Sequence, residues 1–169
     1  MNGTFNTATA YVTVTVLPAP SEEESPWKFT KTEVAQGEEF EMTMAMPAEV
    51  VASSLGFKVE FDNEVFEILE IPTTQWTDMQ PSLDGCNNAG NVMISWCDPT
   101  FEANTTIAKD TVLLTIKFKA KADAALGDST FTVSDWNVTG AFDEETYMMK
   151  DITPSPEIMG STTDITVVA

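Results

Sequence analysis

Carboxylates are the reactive groups this chain has in abundance: 27 Asp+Glu stand against 8 cations, all of them lysine, with no arginine and no histidine, for a net charge of −19. Close acidic groupings include Asp62 with Glu64, Asp143 with Glu144 and Glu145, and Glu22 to Glu24. Two carboxylates across a cleft can hydrolyse a glycoside, one as acid and one as base or nucleophile. With 27 acids some pair always falls at a suitable spacing, so these groupings read as a solvated acidic surface and no catalytic residue is assigned. The missing histidine excludes Ser-His-Asp triads, His-ligated zinc and imidazole acid–base chemistry. Oxygen-rich carboxylates would suit calcium, but no Asp-x-Asp-x-Asp-Gly loop occurs, so no metal and no cofactor is expected. A Gly-x-Ser-x-Gly elbow and a phosphate loop are also missing. Without a basic stripe or bidentate arginines the chain is not built for nucleic acid, nor for anionic lipid. Trp27, Trp76, Trp96 and Trp136 are the remaining candidates, as a stacking platform for sugars; Trp96 falls in phase with Val92 and Ile94 and so belongs to a core, while Trp76 and Trp136 lie beside turn residues.

The elements that would position any site are strands. With 43% hydrophobic and 21% charged residues, the 169-residue chain is globular and long enough for one domain plus appendages. No apolar run of spanning length and no leader pattern after Met1 is visible. Thr alternating with Val or Ile, as in Val12 to Val16, suits half-buried pleated surfaces and suggests an extracellular β-module. Thr9 to Leu17 reads as one strand, with residues 1–17 the end of a preceding module. Residues 18–26 (Pro18 to Pro26) form a Pro/Glu-rich linker, and 27–169 the main domain. Period-2 alternation recurs at Phe40–Met46, Leu55–Phe61, Val92–Cys97, Val112–Lys119, Phe131–Trp136 and Ile165–Val167, with a short apolar run at Phe66–Ile71. Only Pro47–Ser54 and Thr105–Asp110 offer a short helical turn. Seven to nine strands in this order make an all-β sandwich.

Cys86 and Cys97 flank the turn signal Asn87-Asn88-Ala89-Gly90. If both end strands of a hairpin, five strand steps separate them by about 16 Å, too far for a disulfide, so free thiols are expected. Leu113 faces away from the side that Val112, Leu114, Ile116 and Phe118 would bury, and Met93 does the same on its own strand. Apolar residues on the outer face of a sandwich mark a contact surface.

The ordered segments resemble the cohesin family. Val34-Ala35-Gln36-Gly37-Glu38-Glu39-Phe40 is similar to its opening turn and strand, and Gly56-Phe57-Lys58-Val59-Glu60-Phe61-Asp62-Asn63-Glu64-Val65-Phe66-Glu67-Ile68 to its most recognisable stretch. Val112 to Lys121 followed by Ala124-Ala125-Leu126-Gly127-Asp128 resembles its late strand and turn, and Asp164 to Val167 its closing strand. The resemblance covers about Trp27 to Val168. It implies a nine-stranded jelly-roll sandwich on a cellulosome scaffold protein, outside the cell or on its surface, that binds a calcium-loaded dockerin and catalyses nothing. The calcium would belong to the dockerin. Carried over by position, the resemblance puts Ser54, Gly56, Lys58, Met93, Ser95, Leu113 and Thr115 on the contact face, formed by strands at Ser54–Phe61, Met79–Cys86, Val92–Cys97 and Thr111–Ala120. Asp98 and Leu126 would lie in loops at its edge. Ser54 and Gly56 stand where some relatives carry Asn and Asp, which shifts weight to Leu113 and Met93. Asp at either of these two should then weaken docking and spare the fold. Two other binding functions fit an extracellular sandwich. A carbohydrate-binding module would expose Trp76 and Trp136 together, and a pilus-like structural domain would leave an edge strand open.

Overall fold

The structure is a computed structural model, and it describes residues 27–99, 105–143, 145–146, 148–151 and 161–169. The expected strand at Thr9–Leu17 and the linker to Pro26 lie outside the described residues. The strands are β1 (Trp27–Phe29), β2 (Glu33–Ala35), β3 (Glu39–Ala45), β4 (Val50–Ala52), β5 (Ser54–Glu60), β6 (Phe66–Glu70), β7 (Asn91–Cys97), β8 (Thr105–Ile107), β9 (Val112–Ala120), β10 (Gly127–Asp143), β11 (Met148–Asp151) and β12 (Ser161–Val168), with one helix, α1 (Leu83–Ala89), before β7. They pack as a sandwich, in keeping with the all-β jelly-roll expectation. The described residues hold twelve strand segments, several only three residues long, where nine were expected.

One sheet has the order β1-β3-β9-β6 and the other β2-β12-β10-β5-β7, with β11 on β10; β4 and β8 form a small separate pair. Alternation decides what lies between the sheets. Phe40, Met42 and Met44 point inward from β3, Leu55, Phe57 and Val59 from β5, and Phe131 and Val133 from β10. Phe131 is the hub of the core, with ring centroids 5.0 Å from Phe29, 5.0 Å from Phe66 and 5.1 Å from Phe118. Such tilted and edge-on contacts suit the ring quadrupole.

Three local expectations are corrected. Val50–Ala52 and Thr105–Ile107 are not helical turns: they pair antiparallel as β4 and β8, because Val50-Val51 and Thr105-Thr106-Ile107 are β-branched and find each other as partners. The stretch Met79–Cys86 is not a strand. Ser82 caps a helix there, its Oγ accepting the Gly85 N–H, and Gly90 closes it at φ 66° with its N–H on the Cys86 carbonyl. A Cβ at Gly90 would sit 2.9 Å from the Phe61 carbonyl oxygen, so this position needs glycine on two counts.

The third correction concerns Leu113. The β3–β9 register slips between Met44 and Ala45, so that Met44 faces Leu114 while Ala45 faces Val112. Leu113 is the extra residue of this bulge, and alternation breaks there. Val112 turns outward and Leu113 inward, at 0% exposure.

Helix α1 also closes an edge. The Asn87 side chain accepts from the Ile68 N–H (2.6 Å) and donates to the Ile68 carbonyl (3.0 Å), standing in for a neighbouring strand of β6. Asn87→Ala should therefore cost about 1–3 kcal/mol, since it leaves two backbone groups unpaired. Urea unfolding of the two proteins measures this.

Candidate binding face

The outer faces of the two sheets differ in kind. On the four-stranded sheet Lys117 pairs with Glu39 at 2.6 Å and Lys119 with Glu67 at 3.4 Å. The Glu39 carboxylate raises the Lys117 pKa by hydrogen bonding, and Lys117 lowers that of Glu39 in return. These two pairs, with the exposed Glu41 and Glu70 on the same sheet, make this face a charged, solvated surface.

On the other sheet, β10, β5 and β7 lie side by side, and their register defines outward rows. Thr139, Ser54 and Cys97 form one row; Asn137, Gly56 and Ser95 the next; Ser134, Lys58 and Met93 the third; Thr132, Glu60 and Asn91 the last. Small polar side chains and Gly56 keep the first two rows low. Met93 stands 62% exposed beside them, and Met79, on the segment that hydrogen-bonds to β7, is 81% exposed. That segment is held by the Asp78 N–H on the Ser95 carbonyl (3.0 Å) and by the Cys97 N–H on Asp78 Oδ2 (2.9 Å).

One polar cluster sits in the third and fourth rows. Lys58 Nζ is 3.0 Å from Glu60 Oε1 and 3.6 Å from Asp135 Oδ2, while Ser134 Oγ donates to Glu60 Oε2 at 2.8 Å. The hydrogen bond from Lys58, helped by that from Ser134, holds the Glu60 carboxyl below the usual glutamate range, and Glu60 raises Lys58. Asp135 takes φ 54° where the β10–β5 register slips between Ser134 and Asn137. The bulge turns the Asp135 carboxylate toward Lys58.

Of the nine expected contact residues, the structure brings five together here: Ser54, Gly56 and Lys58 on β5, Met93 and Ser95 on β7. Leu113 and Thr115 belong to β9 in the opposite sheet, Leu113 inside the core and Thr115 facing Thr43 across β3. Asp98 is buried, its carboxylate accepting the Thr105 hydroxyl at 2.8 Å and its N–H donating to the Ser53 carbonyl. It ties β7 to the β4–β8 end, with its side chain turned inside and off the rows. Leu126 is 58% exposed, but it precedes the part of β10 that pairs with β12 and so lies beyond the rows. Residues missed in the sequence are Met79 and the β10 members Ser134, Asp135, Asn137 and Thr139. Their alternation was visible, but the pairing of β10 with β5 was not.

The other sequence candidates resolve as follows. Trp76 and Trp136 are 6% and 5% exposed, Trp76 packed edge-on against Trp96 at 5.2 Å and Trp136 against Phe57 at 5.6 Å. They form core and no sugar platform. Asp62 Oδ1 accepts the Glu64 N–H at 2.8 Å, so that acidic pair builds the turn after β5. Among the described residues no group of three Cys, Asp or Glu side chains is placed to hold a metal ion. Both cysteines are free thiols; Cys86 is on a helix and not on a hairpin strand, and burial raises its pKa.

This architecture has known counterparts. A type I cohesin–dockerin complex of Clostridium thermocellum matches with a TM-score of 0.58 and 12% identity over 84% of this chain and 97% of that one. A type I cohesin from Pseudobacteroides cellulosolvens matches at 0.56 and 16% over 83% and 90%. A Clostridium acetobutylicum cohesin matches at 0.54 and 21% over 85% and 92%. At these identities the likeness establishes the fold. No curated protein matches the chain significantly. The sequence profile of the cohesin domain matches residues 25–162. The chain therefore belongs to the cohesin family, whose members are non-catalytic binding modules.

Proposed function

We propose that this module docks a calcium-loaded dockerin, joining an enzyme or another scaffold to the larger secreted protein it belongs to, outside the cell or at its surface. The observation that carries the reading is the outer face of β10, β5 and β7. In a chain of net charge −19 it offers low, uncharged rows at Ser54, Gly56, Ser95 and Asn137, flanked by the exposed methionines Met79 and Met93. An apolar spot within a polar surround is how a non-obligate interface is built. Acidic surroundings speed the approach of a partner with basic positions. Several of the structural neighbours are themselves complexes of a cohesin with a dockerin. The module supplies no metal and no catalytic group: the calcium is the partner's. Residues 1–17 are then the end of an upstream module and 18–26 its spacer. Immobilised chain should capture at least one member of a panel of purified dockerins in calcium and release it in chelator. A panel that covers the known dockerin types and yields no capture would sink the reading.

A further inference from the structure

The β7 edge of the six-stranded sheet is closed at its Cys97 end and open before it. The Phe61 N–H donates to the Gly90 carbonyl on the β5 side, while the Ser95 carbonyl and the Cys97 N–H bond outward to Asp78. In an antiparallel ladder one residue's N–H and C=O point to the same side, so the odd-numbered residues of β7 aim theirs away from β5. That places the Met93 N–H and C=O, the Ser95 N–H and the Asn91 C=O along the free edge, and among the described residues none of these four groups has a protein hydrogen-bond partner. Beside them runs a shallow groove of about 210 Å³, lined by Pro81, Ser82, Gly85, Cys86 and Ala89 on one side and Asn91 and Met93 on the other. Edge strands are ordinarily protected by charge, proline or a cover. Gly85 to Cys97 contain neither charge nor proline, although the chain carries 27 acids, two of which, Asp84 and Asp98, bracket this stretch.

We propose that β7 accepts an extended peptide segment of a partner as an added strand between Asn91 and Ser95, with uncharged residues in the pairing register and lysine or arginine at the ends. The pairing residues are uncharged because the edge is; the basic ends answer Asp78, which stands at the Cys97 end of the opening, and the net charge of −19 that surrounds it. A second copy of this chain is the poorer occupant, since it would bring another net charge of −19 and its own α1 to the same edge. Main-chain bonds supply the affinity and the groove takes alternate side chains of the added strand. The contact lies in the plane of the sheet and does not depend on dockerin docking upon its face.

The test uses the full ¹⁵N-labelled chain without dockerin and the capped peptide Lys-Thr-Val-Thr-Val-Thr-Lys. At about ten times the dissociation constant, exchange of the Met93 and Ser95 amides should slow by roughly tenfold. The same peptide N-methylated at its central Val-Thr-Val should bind about tenfold more weakly or worse, having lost its main-chain donors. Replacing the terminal lysines by aspartate should weaken binding as well. Three results would overturn the proposal: equal affinity for the N-methylated peptide, unchanged exchange at Met93 and Ser95 under saturation, or Met93 already protected in a chain that sediments as a dimer.

Discussion

Leu113→Asp leaves no stable domain. The side chain lies fully buried at the β9 bulge, in the same cluster as Leu114, Met44 and Met46. An aspartate there must either ionise in an apolar site or hold an unpaired neutral carboxyl, and both are costly. The loss of leucine packing adds to this. The expected destabilisation is about 4 kcal/mol or more, a large share of what a domain of this size possesses. Circular dichroism and urea titration of the purified variant decide it. A variant as stable as the parent would mean that Leu113 is outside the core and that the bulge is misplaced. The outcome reverses the expectation drawn from strand alternation together with the family resemblance, in which this substitution spared the fold and weakened only docking.

Met93→Asp has the opposite character. Met93 points away from the core at 62% exposure, between Lys58 on β5 and the open edge of β7. Its replacement removes no core contact, so stability should change by no more than about 0.5 kcal/mol. On the proposed reading it places a desolvated charge at the apolar part of the interface and weakens dockerin binding by about 2 kcal/mol, roughly thirtyfold. Calorimetry with the captured dockerin measures the affinity, and a melting curve controls for folding. Unchanged affinity would move the docking surface off this face. Because Leu113→Asp and Met93→Asp insert the same group into two strands of similar pattern, the pair separates a core role from a surface role directly.

Much of the fold was legible because period-2 alternation is a local property. Phe40–Met46, Leu55–Phe61, Val92–Cys97 and Ile165–Val167 form the strands their patterns announce, with the predicted sides inward. The helix at Leu83–Ala89 had its own signal, Ser82 at one end and Gly90 at the other, but its seven residues are too few to show an amphipathic stripe. Free thiols were expected, and found, yet the hairpin geometry that suggested them does not exist. The site was legible only in part. Alternation located Met93, Ser95, Ser54 and Lys58 on outward positions, whereas the inclusion of Leu113 failed on a single inserted residue.

The sequence by itself determined the class of the chain: its all-β texture, its lack of histidine and arginine chemistry, its acidity, and an ordered series of strands matching the cohesin family. Which strands share a sheet was decided only by the tertiary structure. Alternation says that a strand has two faces, but not which strand lies beside it, and one bulge exchanges the two faces from that point on. Thus β9 joined β3 and β6, taking Thr115 to the far side of the sandwich, while β10 came to lie beside β5 and brought Asn137 and Asp135 to the face. Hydrogen-bond pairing between segments distant in sequence is settled by how both sheets bury their apolar sides together, and no single segment carries that information.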